Sequence, residues 1–219
     1  MSGTRAALFD MDRTLLRCET ASLYMRYQRD IGEATWRDLA RTLVWVGQYT
    51  LGVLDAPKVA AKVLRELQGV PEILLAARHD DWFGRYVERH ITDEGRKAVE
   101  RHLAAGDICA IVTGASRYAS RPLARLLRID HLVTTEFEVG PDGRFTGRYE
   151  EPLCLGHGKV TRAERLASEL GFRLKDATFY SDSISDLPLL ERVGEPVAVN
   201  PDLRLRRTAL ARGWRVLRW

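Results

Sequence analysis

Cysteine is scarce in this chain, with three in 219 residues. Cys18, Cys109 and Cys154 are odd in number and stand at no paired ligand spacing, which excludes a disulfide scaffold and a cysteine-based zinc site. A reduced compartment suits them, and Cys109, inside the apolar run Ile108–Val112, is expected to be a small core residue. Long apolar runs are missing too. The longest weakly polar stretch, Leu43–Leu54, is interrupted by Gln48, Tyr49 and Thr50 and is too short to span a bilayer. The opening residues Met1-Ser2-Gly3-Thr4-Arg5 show no apolar segment and no small-residue cleavage site. No membrane partner is expected, and the expected location is cytoplasmic. Lysine is also rare, five against 29 arginines.

What is present is ordinary for a globular protein: 45% hydrophobic, 29% charged and 8% aromatic residues. A chain of this size buries roughly 70% of its unfolded surface and needs no covalent staple. The 34 basic and 30 acidic residues leave a net charge of +4, which favours anionic partners without choosing among them. The arginines are interleaved with acids, as in Arg85-Tyr86-Val87-Glu88-Arg89, and form no dense basic stripe. Nucleic acid is therefore not expected.

Two patterns alternate along the chain. Ala6-Ala7-Leu8-Phe9 reads as a buried strand before an acidic turn. From about Glu19 to His90 apolar residues recur at spacings of three and four: Leu23, Tyr24, Tyr27; Leu39, Leu43, Val46; Val59, Val63, Leu67. Breaks fall near Gly32, Asp55-Ala56-Pro57 and Gly69-Val70-Pro71, so this region reads as a set of helices whose tyrosines and tryptophans pack a core. After Thr92 strands and helices alternate. Helices are expected over Glu94–Ala105, Ser116–Leu127 (capped by Ser116), Lys159–Leu170, Leu187–Val193 and Leu203–Arg212. Strands are expected over Ile108–Val112, His131–Thr134, Ala177–Tyr180, Pro196–Val199 and Arg215–Leu217, with a hairpin over Phe137–Tyr149. That alternation predicts an α/β fold: a Rossmann-like parallel sheet with helices on both faces, plus an inserted α-helical cap. The core is expected to take residues 1–17 and 92–219, and the cap 18–91.

In open α/β sheets the ligand site lies at the carboxyl ends of the strands. The polar residues that follow each predicted strand are Asp10, Asp12 and Thr14; Thr113, Gly114 and Ser116; and Ser181, Asp182, Ser185 and Asp186. Lys159 opens a helix after Gly156-His157-Gly158. Carboxylates gathered this closely repel one another unless a cation neutralises them. Oxygen ligands without histidine or cysteine favour Mg²⁺. A lysine in a helix's first turn opposes the helix dipole, which makes sense if it faces an anion. The histidines His79, His90, His102 and His131 show no metal spacing and read as ordinary residues, and His157 reads as part of a glycine turn.

Four segments carry a resemblance: Asp10-Met11-Asp12-Arg13-Thr14-Leu15-Leu16, Ile111-Val112-Thr113-Gly114, Lys159 after its glycine turn, and Ser181-Asp182-Ser183-Ile184-Ser185-Asp186-Leu187-Pro188. They resemble the four motifs of the haloacid dehalogenase superfamily, over essentially the whole chain. Asp12, two residues after Asp10, is similar to the phosphatase branch, and the helical insertion to its phosphoserine-phosphatase-like members. The resemblance implies an Mg²⁺-dependent hydrolase of a small-molecule phosphomonoester. Asp10 would be the nucleophile and Asp12 the general acid and base. Thr113 and the Gly114 amide would hold the phosphoryl oxygens, and Lys159 would neutralise the phosphate. Asp10, the Asp12 carbonyl and Asp182 would bind the metal, with Asp186 positioning that site. Arg13 departs from the superfamily's usual glycine and is expected to gate the entrance, meet a second anionic group or face solvent. Glu19 matches the glutamate that grips the amino group of phosphoserine. The position of that family's carboxylate-binding arginine falls near Val63, so an amino alcohol phosphate stands level with phosphoserine. A two-component receiver domain is excluded by length and by the place of Asp10 after the first strand. The alternative is a catalytically silent relative that binds phosphate or other anions. Nothing in the pattern sets an oligomeric state.

Overall fold

The computed structural model describes residues 4–37, 40, 44, 47 and 56–219. The expected helical positions Leu39, Leu43 and Val46, the break at Asp55 and nearly all of the Leu43–Leu54 stretch lie outside the described residues.

Six strands form one parallel sheet in the order β3-β2-β1-β6-β7-β8. They are β1 (Ala6–Phe9), β2 (Ile108–Ser116), β3 (His131–Thr135), β6 (Ala177–Ser181), β7 (Glu195–Val199) and β8 (Arg215–Leu217). β1 is central, with Leu8 opposite Ala110 on one side and Phe179 on the other. The chain builds outward from it in both directions, so the order reverses at β1. A crevice opens at the carboxyl end of such a switch point.

The central strands are apolar on both faces because both are covered. Ala7, Phe9, Ile111 and Val197 point to one side, against Ala98 and Val99 of α4 (Asp93–Ala104) and Leu123 and Leu127 of α5 (Arg117–Leu127). Ala6, Leu8, Val112 and Phe179 point to the other, against Val160 and Ala163 of α6 (His157–Leu170), Leu189 of α7 (Leu187–Leu190) and Leu205 of α8 (Leu203–Ala211).

Between β1 and α4 the chain forms α1 (Thr20–Asp30), α2 (Ala56–Leu67) and α3 (Glu72–Trp82). It leaves and returns side by side. Leu16 bridges Ile91 antiparallel, Arg17 N–H donates to the His90 carbonyl at 2.8 Å, and Thr92 N–H donates to that of Leu15 at 2.9 Å. Tyr27, Trp82, Phe83 and Val87 join the same hydrophobic cluster as the sheet's first face.

Three local expectations are corrected. β2 runs on to Ser116 instead of stopping at Val112, through an irregular stretch where Thr135 Oγ1 donates to the Gly114 carbonyl at 2.9 Å. Ser116 precedes α5 but its side chain makes no capping bond; its carbonyl accepts from Ser120 Oγ instead. α7 ends at Leu190, short of Val193; beyond it Arg192 N–H donates to the Leu189 carbonyl, a tighter turn, and Gly194 N–H leaves for the Leu174 carbonyl. The hairpin forms as β4 (Phe137–Val139) and β5 (Phe145–Tyr149) and docks on the turn between α2 and α3. Gly69 N–H donates to the Phe145 carbonyl, Phe145 N–H to that of Val70, and Glu72 N–H to that of Gly143.

Candidate functional site

Asp10 is the first residue beyond β1, and its N–H donates to the Tyr180 carbonyl at 2.9 Å, holding it at the rim. Lys159 reaches it from α6. Its Nζ lies 2.7 Å from Asp10 Oδ1 and 2.7 Å from Asp186 Oδ2, all three side chains being buried. Gly158 makes that approach possible: a Cβ there would sit 1.8 Å from the Leu153 carbonyl oxygen. Ser181 Oγ donates to the same Asp186 oxygen at 2.7 Å. Asp182 lies on the next residue, buried.

Three carboxylates, Asp10, Asp182 and Asp186, thus face one ammonium group. Burial first, then Asp10 and Asp186, pushes the pKa of Asp182 up. Burial likewise raises that of Asp10, with Lys159 pulling it back. Among the described residues, Asp186 Oδ1 is buried without a hydrogen-bond partner. Missing positive charge and an orphaned carboxylate oxygen fit a divalent cation at this spot. Among the described residues no three His, Cys, Asp or Glu side chains close into a metal cage.

Asp12 stands apart from the lysine. Its carboxylate accepts from Thr20 N–H and Thr20 Oγ1, both at 3.0 Å, at the start of α1. Burial, then Glu19 and Asp10, pushes its pKa up to about 8. Thr113 is buried, its Oγ1 accepting from Ala115 N–H at 3.2 Å. At Gly114 an added Cβ would lie 2.4 Å from Leu155 Cδ2.

Arg13 has φ +54°, in the left-handed region that favours glycine, and Asn200 Nδ2 donates to its carbonyl. Its guanidinium lies 2.8 Å from Glu19 Oε1. Glu19 is therefore held by an internal cation.

The nine predicted site residues all border one cavity of about 930 Å³ that runs from the acidic rim to the helices over it. Sequence reasoning missed the part that five residues play in it. Thr20 holds Asp12. Asp202, after β7, caps α8 and accepts from Ile184 N–H at 2.8 Å; applying the strand-end rule to β7 finds it. Tyr24 and Trp82, read as core, also line the cavity, and so does His79, read as ordinary. Val63 lines it as well.

The family model described as haloacid dehalogenase-like hydrolase matches residues 7–191. The chain is 33% identical over 216 residues to a histidinol-phosphatase of Neisseria meningitidis, covering 96% of this chain and 97% of that one. It is 34% identical over 217 residues to a phosphoserine phosphatase of Mycobacterium tuberculosis, covering 97% and 70%. A solved structure of a protein with unknown function from Bordetella pertussis superposes with a TM-score of 0.87 at 36% identity, covering 98% of each chain.

Proposed function

The chain belongs to the haloacid dehalogenase-like hydrolase family, among its phosphatases, and from this premise we propose that it hydrolyses an amino alcohol phosphate through an aspartyl-phosphate on Asp10. The observation that carries the reading is Lys159, shared at 2.7 Å between Asp10 and Asp186 at the carboxyl end of the central strand. A nucleophile in a buried acidic cluster needs a fixed cation to approach a phosphate dianion, and Lys159 is placed to serve both.

An Asp10 oxygen attacks phosphorus while the bond to the leaving oxygen breaks, and Asp12 gives that oxygen its proton. Water then attacks the aspartyl-phosphate and returns a proton to Asp12, releasing phosphate and regenerating Asp10. The Thr113 hydroxyl and the Gly114 amide hold the phosphoryl oxygens, which is where stabilisation of phosphoryl transfer acts. Asp10, the Asp12 carbonyl and Asp182 would hold Mg²⁺, with Asp186 positioning them. The ion, when bound, neutralises charge on the transferring group. Helices α1, α2 and α3, within the expected cap 18–91, would exclude water from the rim.

The amino group is suggested by charge. Beyond the rim the cavity wall holds Glu19, Glu33 and Glu66 against the guanidiniums of Arg13 and Arg78, and Arg78 is paired with Glu33 at 2.8 Å. A substrate ammonium is matched at Glu19 by displacing Arg13. The resemblance puts a carboxylate-binding arginine near Val63, beside Lys62 and Arg65; the side chain lining the cavity there is Val63, and Arg78 is already paired with Glu33, which favours an alcohol over phosphoserine.

The test is hydrolysis of a panel of amino alcohol phosphates, phosphoserine, sugar phosphates and an aryl phosphate, with Mg²⁺, with EDTA and with Asp10→Asn. Turnover is expected to need Mg²⁺ and to vanish in Asp10→Asn. Glu19→Gln should weaken amino-bearing substrates selectively; an equal loss across the whole panel would sink the amino-group assignment.

A further inference from the structure

The cavity is deeper than the acidic rim requires, and its inner wall has a composition of its own. Thr20, which holds Asp12, and Tyr24 are four residues apart on one face of α1. Tyr24 therefore stands about 6 Å further along the helix, away from the rim. Its ring stacks on His79 of α3, centroids 4.6 Å apart and 13° from parallel. Trp82 meets both rings edge-on, at 5.5 and 5.6 Å. Leu67 and Leu75 complete an apolar wall.

His79 is only 7% exposed, and its Nδ1 lies 2.9 Å from the Leu75 carbonyl oxygen. A carbonyl only accepts, so Nδ1 carries the proton and Nε2 presents its lone pair. Burial holds the pKa down at about 4, which keeps the ring neutral. Nε2 has no hydrogen-bond partner among the described residues. The helix thus fixes one tautomer and leaves Nε2 as an acceptor beside the Tyr24 and Trp82 rings, where the Trp82 indole N–H is itself buried without a partner among the described residues.

We propose that this end of the cavity is the specificity subsite and takes a small uncharged aromatic ring at the far end of the substrate, its N–H donated to His79 Nε2. An azole is the simplest such ring. The assignment rests on the amino alcohol phosphate reading above. At Nε2 a carboxylate brings lone pairs to a lone pair, and the nearby Arg78 is already paired with Glu33, while a plain hydroxyl could donate but would leave the aromatic wall uncovered. A site built around one hydrogen bond discriminates against analogues that lack the donor.

The experiment compares kcat/KM for L-histidinol phosphate, which carries an imidazole, with that for phosphoethanolamine, which has the amino group and phosphate but no ring. The wild-type protein should favour the imidazole substrate by at least tenfold. His79→Phe, which keeps an aromatic ring but removes the acceptor, should reduce that ratio about tenfold, through KM of the imidazole substrate. Histidinol phosphates methylated on either ring nitrogen should show the same loss on wild-type protein, whatever the fold of the variant. Equal turnover of imidazole and ring-free substrates, or full activity on both methylated forms, would overturn the subsite and leave the amino alcohol reading standing. Turnover of sugar phosphates but of neither amino substrate would overturn both.

Discussion

The two ends of the cavity are built by opposite rules. The rim gathers charge from four separated segments, yet a single device, the carboxyl ends of parallel strands, brings Asp10, Asp182, Asp186 and the α6 lysine together. The inner wall is aromatic, and the charge next to it, Arg78, is paired with Glu33. Tyr24, His79 and Trp82 come from two helices, and their meeting depends on how those helices cross. Chemistry at the rim is thus tied to topology, whereas selection at the wall is tied to helix packing and can change without disturbing the sheet.

Substitutions at each end should separate these roles. The largest effect is expected at Asp12. Asp12→Asn keeps the shape and the Thr20 contacts but removes the proton donor, and kcat should fall by about 10²–10⁴-fold for substrates with poor leaving groups. An aryl phosphate, whose leaving group needs little protonation, should lose much less in the first step. An equal loss for both kinds of substrate would count against Asp12 as the acid.

Next comes Gly158→Ala. The added Cβ would meet the Leu153 carbonyl oxygen at 1.8 Å, so the turn before Lys159 must shift. A stability loss of about 2–4 kcal/mol is expected in urea unfolding, together with lower turnover of every substrate alike. A loss confined to ring-bearing substrates would contradict the division between rim and wall.

The smallest effect concerns acid. His79 has its pKa lowered from 6.5 to about 4, so the unfolded chain binds more protons than the folded one between those values. Its contribution to stability is fully present above about 6.5 and is lost as pH falls towards 4, up to about 3 kcal/mol in all. His79→Phe removes this dependence. The gap in unfolding free energy between wild type and variant should move in the variant's favour between pH 7 and pH 4, and a constant gap would show that His79 does not stay neutral in the folded protein.

How much of this was legible in the sequence follows the same division. Ala6–Phe9 and Ala177–Ser181 announce themselves as continuous apolar runs because both faces of the sheet are covered, and the acids after them follow directly. The end of β2 did not announce itself: Thr113 and Gly114 look like a turn, and the pairing of Ser116 with Thr135, together with the side-chain bond from Thr135 to the Gly114 carbonyl, keeps that stretch in the sheet. The left-handed backbone of Arg13 is not written in an arginine; its one hint is the glycine that the superfamily usually has at this position. His79 was read as ordinary because its helical spacing is that of a core position. Its distinction lies in which nitrogen the Leu75 carbonyl occupies, and that depends on the side-chain rotamer rather than on residue order.

The neck at Leu16 and Ile91 has one more consequence. Because the chain departs and returns as an antiparallel pair, everything between is, in path, an enlarged hairpin loop, and a two-residue turn could join its ends without changing strand order. Such a graft would still leave a scar. Tyr27, Trp82, Phe83 and Val87 share one hydrophobic cluster with Met11, Leu15 and Leu16, and cutting them away would bare that surface to water. The selecting part of this protein is interchangeable as a thread but not as a solid, so any replacement must arrive with an apolar underside of its own.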